Sequence, residues 1–199
     1  QRQMCIRDRL WYPTGMRLAT GGRSSADELV ERVARRVSEE GAEQVLDVAT
    51  GTGLFARRLA RGASVHGVDA SEKMLRRAVR NARRDGVPLE LSRADAGSLP
   101  HSDDSFDAVT CCGALHLLPD PSEALAETGR VVRPGGIFVA TTIVDEGIFS
   151  LRAARELAET YGMRAFDLNE IDGMLDCAGF ERGETKLESS LVTVTARRR

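Results

Sequence analysis

Between residues 25 and 40 the apolar positions Leu29, Val30, Val33, Ala34 and Val37 recur at helical spacing. Ser25, with Glu28 three residues on, predicts a capped start, and Gly41 predicts the stop. The next apolar run, 44–49, is short and β-rich, so it predicts a strand. After a glycine turn, 54–61 has helical character and ends at Gly62. Residues 64–68 form a second predicted strand, ending at Asp69. Residues 71–85 follow as a helix, with Ser71 as cap and Gly86 as terminator. Strands are then predicted over 89–93 and 106–111. A helix over 123–132, closed by Pro134-Gly135-Gly136, leads to a strand over 137–142.

Strands thus alternate with helices, and several strands are continuous apolar runs. That combination predicts a parallel sheet covered on both faces. Helices over 151–161 and 168–178 follow. Two final strands, 180–188 and 191–196, are separated only by Ser189-Ser190, and so short a link demands an antiparallel hairpin.

Composition narrows the classes. A chain of 199 residues, 42% hydrophobic, supports one sizeable core. A net charge of −2 and an aromatic content of 5% point away from nucleic acid. Cys5, Cys111, Cys112 and Cys177 include no C-x-x-C pair, and no Cys/His cluster has metal spacing, so no metal is expected. Reduced thiols, with no apolar run of membrane-spanning length, place the chain in the cytoplasm by expectation. Arg2-Gln3-Met4-Cys5-Ile6-Arg7-Asp8-Arg9 resembles the translation of a transposon-derived sequencing adapter. Residues 1–9 are therefore expected to be a non-native leader, and 10–199 a single domain.

The run V-L-D-V-A-T-G-T-G, residues 45–53, raises the question of ligand. In a doubly wound sheet, ligands sit beyond the carboxyl ends of the strands where strand order reverses. Gly51 and Gly53 allow a tight turn and close approach. Gly51-Thr52-Gly53-Leu54-Phe55-Ala56 also fits G-x-G-x-x-A, with Asp69 eighteen residues beyond Gly51, so a dinucleotide remains an alternative. Charge separates the two. A pyrophosphate favours helix-end N–H groups with no carboxylate beside them. Asp47, just ahead of the loop, instead suits a cationic amino-acid moiety, although a loop-capping role is as good a reading of that residue alone. Asp69 ends the second strand, where a carboxylate accepts both ribose hydroxyls. Met74, on the first turns of the next helix, is placed against an adenine, and Asp95 follows the third strand.

With V-H-G-V-D-A-S, A-D-A-G-S-L-P, S-F-D-A-V and R-V-V-R-P-G-G, the chain resembles class I S-adenosylmethionine-dependent methyltransferases from about residue 25 onward. The resemblance implies an α/β, doubly wound, Rossmann-like sheet of seven strands, order 3-2-1-4-5-7-6, with strand 7 antiparallel. It implies that Asp47, Ala49, Thr50, Gly51 and Gly53 hold the amino-acid end of S-adenosylmethionine. It places Asp69 and Ala70 at the ribose, Asp95, Ala96 and Met74 at the adenine, and Cys111 and Gly113 beside the cofactor. Ala49 departs from the family pattern, which has glycine there. R-V-V-R-P-G-G and L-L-P-D-P-S-E-A-L resemble the branch acting on small molecules. The rivals are an NAD(P)-dependent oxidoreductase and a non-catalytic S-adenosylmethionine-binding protein. The Tyr-x-x-x-Lys pair of short-chain dehydrogenases is missing: Ala165 lies four residues after Tyr161, and Met16 four after Tyr12.

Methyl transfer from a sulfonium needs positioning more than side-chain chemistry. His116, after the fourth strand, is the candidate general base, with a structural role as the alternative. Cys111 and Cys112 read as small buried hydrophobes, His66 as packing, and His101 as an exposed loop residue. Residues 10–24 and 143–166 are candidate lid segments over a small acceptor, or else cover for the core edge. The arginines of 76–84 read as a solvated face and Arg197-Arg198-Arg199 as a solvated tail. The leader expectation has a direct check: the nucleotides encoding residues 1–9 should spell the adapter, and any other codon series refutes it.

Overall fold

The computed structural model describes residues 20–22, 24–160 and 162–199, leaving aside the side chain of Leu157. In chain order the elements are α1 (Ala26–Glu39), β1 (Gln44–Val48), α2 (Leu54–Leu59), β2 (Ser64–Asp69), α3 (Glu72–Asp85), β3 (Glu90–Arg93) and β4 (Phe106–Cys112). They continue with α4 (Pro121–Val131), β5 (Val132–Ile143), α5 (Arg152–Thr160), α6 (Leu168–Cys177), β6 (Phe180–Glu188) and β7 (Leu191–Arg198). Short 3₁₀ turns occupy Leu115–Leu117 and Gly147–Ser150.

The sheet runs β3-β2-β1-β4-β5-β7-β6, the expected order. Parallel pairs join β1 to β2 and β4, β2 to β3, and β4 to β5, while β7 runs antiparallel to both neighbours. After β3 the chain returns to the other side of β1, so strand order reverses between β1 and β4. The carboxyl ends of these two strands flank the crevice where such sheets bind ligands.

Local chemistry sets the boundaries. Ser25 and Glu28 form a reciprocal capping box, with bonds of 3.2 and 2.7 Å. Gly86 ends α3 in the left-handed region, at φ 66°. Asp120 caps α4, and Pro121 fits its first turn. Three expectations need correction. Ser71 makes no side-chain cap to α3; its backbone N–H instead donates to Asp69 Oδ1 at 2.8 Å. Pro134-Gly135-Gly136 does not close α4. That helix ends at Val131, and the triplet lies inside β5, where the pairing with β4 shifts register and Gly135 takes φ 79°. Arg197 to Arg199 are no free tail. Arg198 Nη1 donates to Val132 O at 2.5 Å and pairs with Asp104, while Arg197 pairs with Glu40 and Arg199 with Asp176. Arg76, Arg80, Arg83 and Arg84 do stand exposed on α3.

Two apolar clusters flank the sheet. One joins α1 and α2 to it through Leu29, Val33, Phe55 and Val45. The other joins α4 and α6 through Leu125, Ile171, Leu175 and Phe138. Gly129 permits the contact between α4 and the turn after α6: a Cβ there would collide with Ala178 O.

Candidate functional site

The loop after β1 carries three left-handed residues, Ala49 (φ 54°), Gly51 (φ 57°) and Gly53 (φ 73°). Glycine takes this conformation freely, whereas an L-residue does so at a cost of roughly 1–2 kcal/mol. The alanine that departs from the family pattern is therefore a strained residue. The loop is tied to β2 by Thr50 N donating to Val68 O at 2.9 Å and Gly51 N donating to Asp69 Oδ2 at 2.8 Å. A Cβ on Gly51 would find nothing closer than Ala49 O at 3.9 Å, so that side of the loop is open to approach.

Asp47 lies beneath this loop and is only 2% exposed. Thr50 Oγ1 donates to its Oδ2 and Thr110 Oγ1 to its Oδ1, both at 2.6 Å. One hydroxyl comes from the loop and the other from β4. Burial pushes the carboxyl up to about 6, and the two hydroxyl bonds hold it back from rising further. Gly67 pairs with Asp47 across β1 and β2, and a Cβ there would lie 3.0 Å from Thr50 Oγ1. The missing side chain is what leaves room for the threonine that satisfies the acid.

Asp69 ends β2 with its Oδ1 on Ser71 N and its Oδ2 on Gly51 N, each at 2.8 Å. Asp95 follows β3, is exposed, and accepts from Gly97 N at 3.0 Å. Asp47 near the end of β1, Asp69 at the end of β2 and Asp95 just after β3 thus mark the carboxyl ends of three neighbouring strands. Ala70 is exposed beside Asp69, Ala96 is half-buried, and Met74 is buried on the first turn of α3. On β4, Cys111 is buried and its thiol is pushed up to about 12, chiefly by burial, which leaves it unreactive. Gly113 takes φ 70°, and its N–H is held by both Thr141 O and Thr141 Oγ1 at 2.9 Å. His116 lies half-buried in the 3₁₀ turn that follows, with Nδ1 3.4 Å from Thr142 Oγ1.

The segments named as lids divide. Residues 10–19 and 23 fall outside the described residues, and so do Trp11, Tyr12 and Met16. Nearby, Ser24 Oγ donates to the buried Glu188 at 2.7 Å, and Arg32 pairs with the same carboxylate. Residues 143–166 are tethered at both ends. Phe166 N donates to Ile143 O at 3.1 Å, Asp145 N to Phe166 O at 2.9 Å, and Arg164 N to His116 O at 2.9 Å.

Composition and spacing did not reveal Thr110, Thr141, Thr142 or Gly67 as parts of this edge. Their one visible signal was a polar or missing side chain within an otherwise apolar strand. His101 also needs correction. It is half-buried against Phe106, and its Nε2 lies 3.2 Å from His66 Nδ1, whose Nε2 in turn meets Ser92 Oγ at 2.9 Å. Burial lowers the pKa of both rings. Among the described residues no His/Cys/Asp/Glu group could hold a metal ion, and no helix is long and apolar enough to cross a membrane.

Residues 46–140 match the family described as Methyltransferase domain. The chain carries a class I methyltransferase domain. It is 39% identical over 138 residues to an uncharacterized chloroplastic methyltransferase of Arabidopsis thaliana, covering 63% of this chain and 39% of that protein. Over 107 residues it is 40% identical to the ubiquinone/menaquinone biosynthesis C-methyltransferase UbiE of Desulfotalea psychrophila, covering 52% of this chain and 43% of that one. The chain therefore spans less than half the length of these two relatives. Among solved structures, an S-adenosylmethionine-dependent methyltransferase from Aquifex aeolicus superposes with a TM-score of 0.72 at 21% identity, covering 100% of this chain and 97% of that one. The [4+2]-cyclase SpnF gives a TM-score of 0.77 at 25% identity, covering 89% and 83%.

The buried acid of this methyltransferase domain predicts a pH signature. Its folded pKa of about 6 exceeds the ordinary 3.8, so the folded state binds the extra proton between those values. Ionised Asp47 thus costs stability above about pH 6, and that cost is relieved as pH falls toward 3.8. His66 and His101 act in the opposite sense: their lowered values make the fold lose stability as pH falls below the ordinary 6.5. Comparing wild type with Asp47→Asn cancels the histidines. Urea unfolding should show wild type gaining on the order of 1 kcal/mol relative to the variant between about pH 7 and about pH 5. A constant difference across that range would remove the assigned shift.

Proposed function

We propose that this domain binds S-adenosylmethionine at the carboxyl edge of β1, β2 and β3 and transfers its methyl group to a small-molecule acceptor by in-line displacement. The observation that carries the reading is Asp69. Its carboxylate closes the glycine loop through Gly51 N and the start of α3 through Ser71 N, which uses two of about four lone-pair positions. The remaining two suit a vicinal diol such as a ribose. Asp95 retains capacity for the adenine amino group, Ala70, Ala96 and Met74 frame the base, and the open side of Gly51 admits the amino-acid end. Across the crevice stand Cys111 on β4 and Gly113 just beyond its end.

The bound cofactor supplies an activated methyl group on a sulfonium. The chain's own task is to orient and to exclude water. Asp47 acts from below, through Thr50 and Thr110, by placing negative potential under a cationic ligand. His116, beyond β4, is the candidate to manage a proton at the acceptor. Against a dinucleotide stands the same Asp69: the Gly51 N–H that a pyrophosphate would take is already bonded to a carboxylate.

A small acceptor accords with the resemblance to quinone-precursor enzymes and with the low aromatic content. A reducing compartment such as the cytoplasm accords with Cys111 packed as core rather than bridged. A second reading keeps the cofactor site but not methyl transfer, and the similarity to SpnF, named as a cyclase, favours keeping it in view.

Isothermal calorimetry tests the cofactor: adenosylhomocysteine should bind and NAD(P) should not. Asp69→Ala should weaken that binding at least about tenfold, since it removes charge-assisted bonds worth roughly 1.5–3 kcal/mol each. Circular dichroism should show the variant folded. Unchanged affinity defeats the ribose assignment. Labelled methyl transfer into a metabolite extract separates catalysis from binding alone.

A further inference from the structure

One face of α4 holds the loop after β3 at alternate residues. Glu123, Glu127 and Arg130 stand four and three positions apart, so they share that helix face. A Cβ on Gly97 would lie 2.7 Å from Glu123 Oε2, so the loop passes close against that side chain. Two residues on, Leu99 N donates to Glu127 Oε2 at 2.7 Å. Arg130 spans two carbonyls, with Nη2 on Leu99 O at 3.0 Å and Nη1 on His101 O at 2.7 Å. Glu127 holds the guanidinium from its own helix at 2.7 Å, and Asp103 pairs with it from the loop at 2.8 Å. The Arg130 carbonyl also accepts from Asp104 N at 3.0 Å.

The same loop carries Asp95. Its Oδ1 accepts from Gly97 N at 3.0 Å, and its carbonyl accepts from Ser98 N at 3.1 Å. The direction of this exposed carboxylate therefore follows from where Gly97 and Ser98 are held. We propose that Glu127 and Arg130 are positioning residues that fix the Asp95 carboxylate and so set the selectivity of the crevice for adenine over other purine bases. An adenine amino group donates to a carboxylate, whereas hypoxanthine presents a carbonyl oxygen at that position, which a carboxylate repels. Such discrimination needs the acceptor held still, because an aspartate on a loose loop turns to water or to the ring N–H of hypoxanthine instead. A planar guanidinium suits the task, since one rigid fork fixes two carbonyls at once. The base contact rests on the S-adenosylmethionine reading above; the clamp on the loop does not.

Hydrogen exchange, read by NMR on the protein without ligand, tests the clamp. Arg130→Met should speed exchange of the Gly97 and Leu99 amides at least about tenfold, while the amides of β1 and β4 keep their protection. Calorimetry with adenosylhomocysteine and with S-inosylhomocysteine, its hypoxanthine analogue, tests the selectivity. Wild type should prefer the adenine ligand at least about tenfold, and Arg130→Met should bring the two affinities within about threefold. Arg130→Lys keeps the charge but cannot span both carbonyls, so it should show both effects in weaker form and serves in place of Arg130→Met where that variant does not fold. Unmoved Gly97 and Leu99 amides, equal binding of the two ligands by wild type, or affinities that fall in an unchanged ratio overturn the proposal, since an arginine that only supports the fold weakens both ligands alike. Failure of wild type to bind adenosylhomocysteine would defeat the cofactor reading, and the exchange result would still decide the clamp.

Discussion

A carboxylate buried under a backbone loop must be satisfied from within the chain, and Asp47 is satisfied by two threonine hydroxyls from different directions. Thr50 belongs to the loop the acid supports, and Thr110 belongs to β4. The acid therefore ties the loop to both sides of the point where strand order reverses. Gly67 must lack a side chain for Thr50 to fit, and Thr50 must turn inward for the loop to reach Asp69. Loss of either hydroxyl would leave a buried lone pair unpaired, at a cost of roughly 1–3 kcal/mol, which explains polar threonines in apolar surroundings.

This clamp changes the meaning of the acid in V-L-D-V-A-T-G-T-G. From the sequence, Asp47 could meet a ligand directly or cap the loop. The structure places it under the loop, 2% exposed and with both oxygens engaged by threonine hydroxyls. Asp69 is the acid at the surface of the edge, and it too serves the loop before any ligand. The strain at Ala49 belongs to the same construction, because the turn needs left-handed residues at alternate positions and the sequence supplies glycine at only two of three.

Much of the fold was legible because it depends on local signals. The helix periodicities, the capping box at Ser25 and the two-residue link at Ser189-Ser190 each constrain a short stretch. The strand order came from resemblance, since no local pattern specifies which strands neighbour each other. What escaped was partnering at long range. Whether Arg198 is a tail or a clasp depends on Asp104 and Val132, far away in the chain. Whether His101 is exposed depends on His66 and Phe106. Pro134-Gly135-Gly136 misled for a related reason: a helix stop and a strand bulge use the same residues, and only the pairing with Phe106 and Ala108 tells them apart.

The carboxyl edge shows how strand geometry assigns two tasks to adjacent residues. Thr141 and Thr142 differ by one position and therefore point to opposite faces of β5. The first fixes Gly113, where β4 ends in a left-handed turn, and the second meets His116, three residues further on. The backbone of His116 is held in turn by Arg164, and the same short segment pairs through Phe166 with β5 itself. The turn that carries His116 is thus tied by backbone bonds both to β5 and to the returning segment.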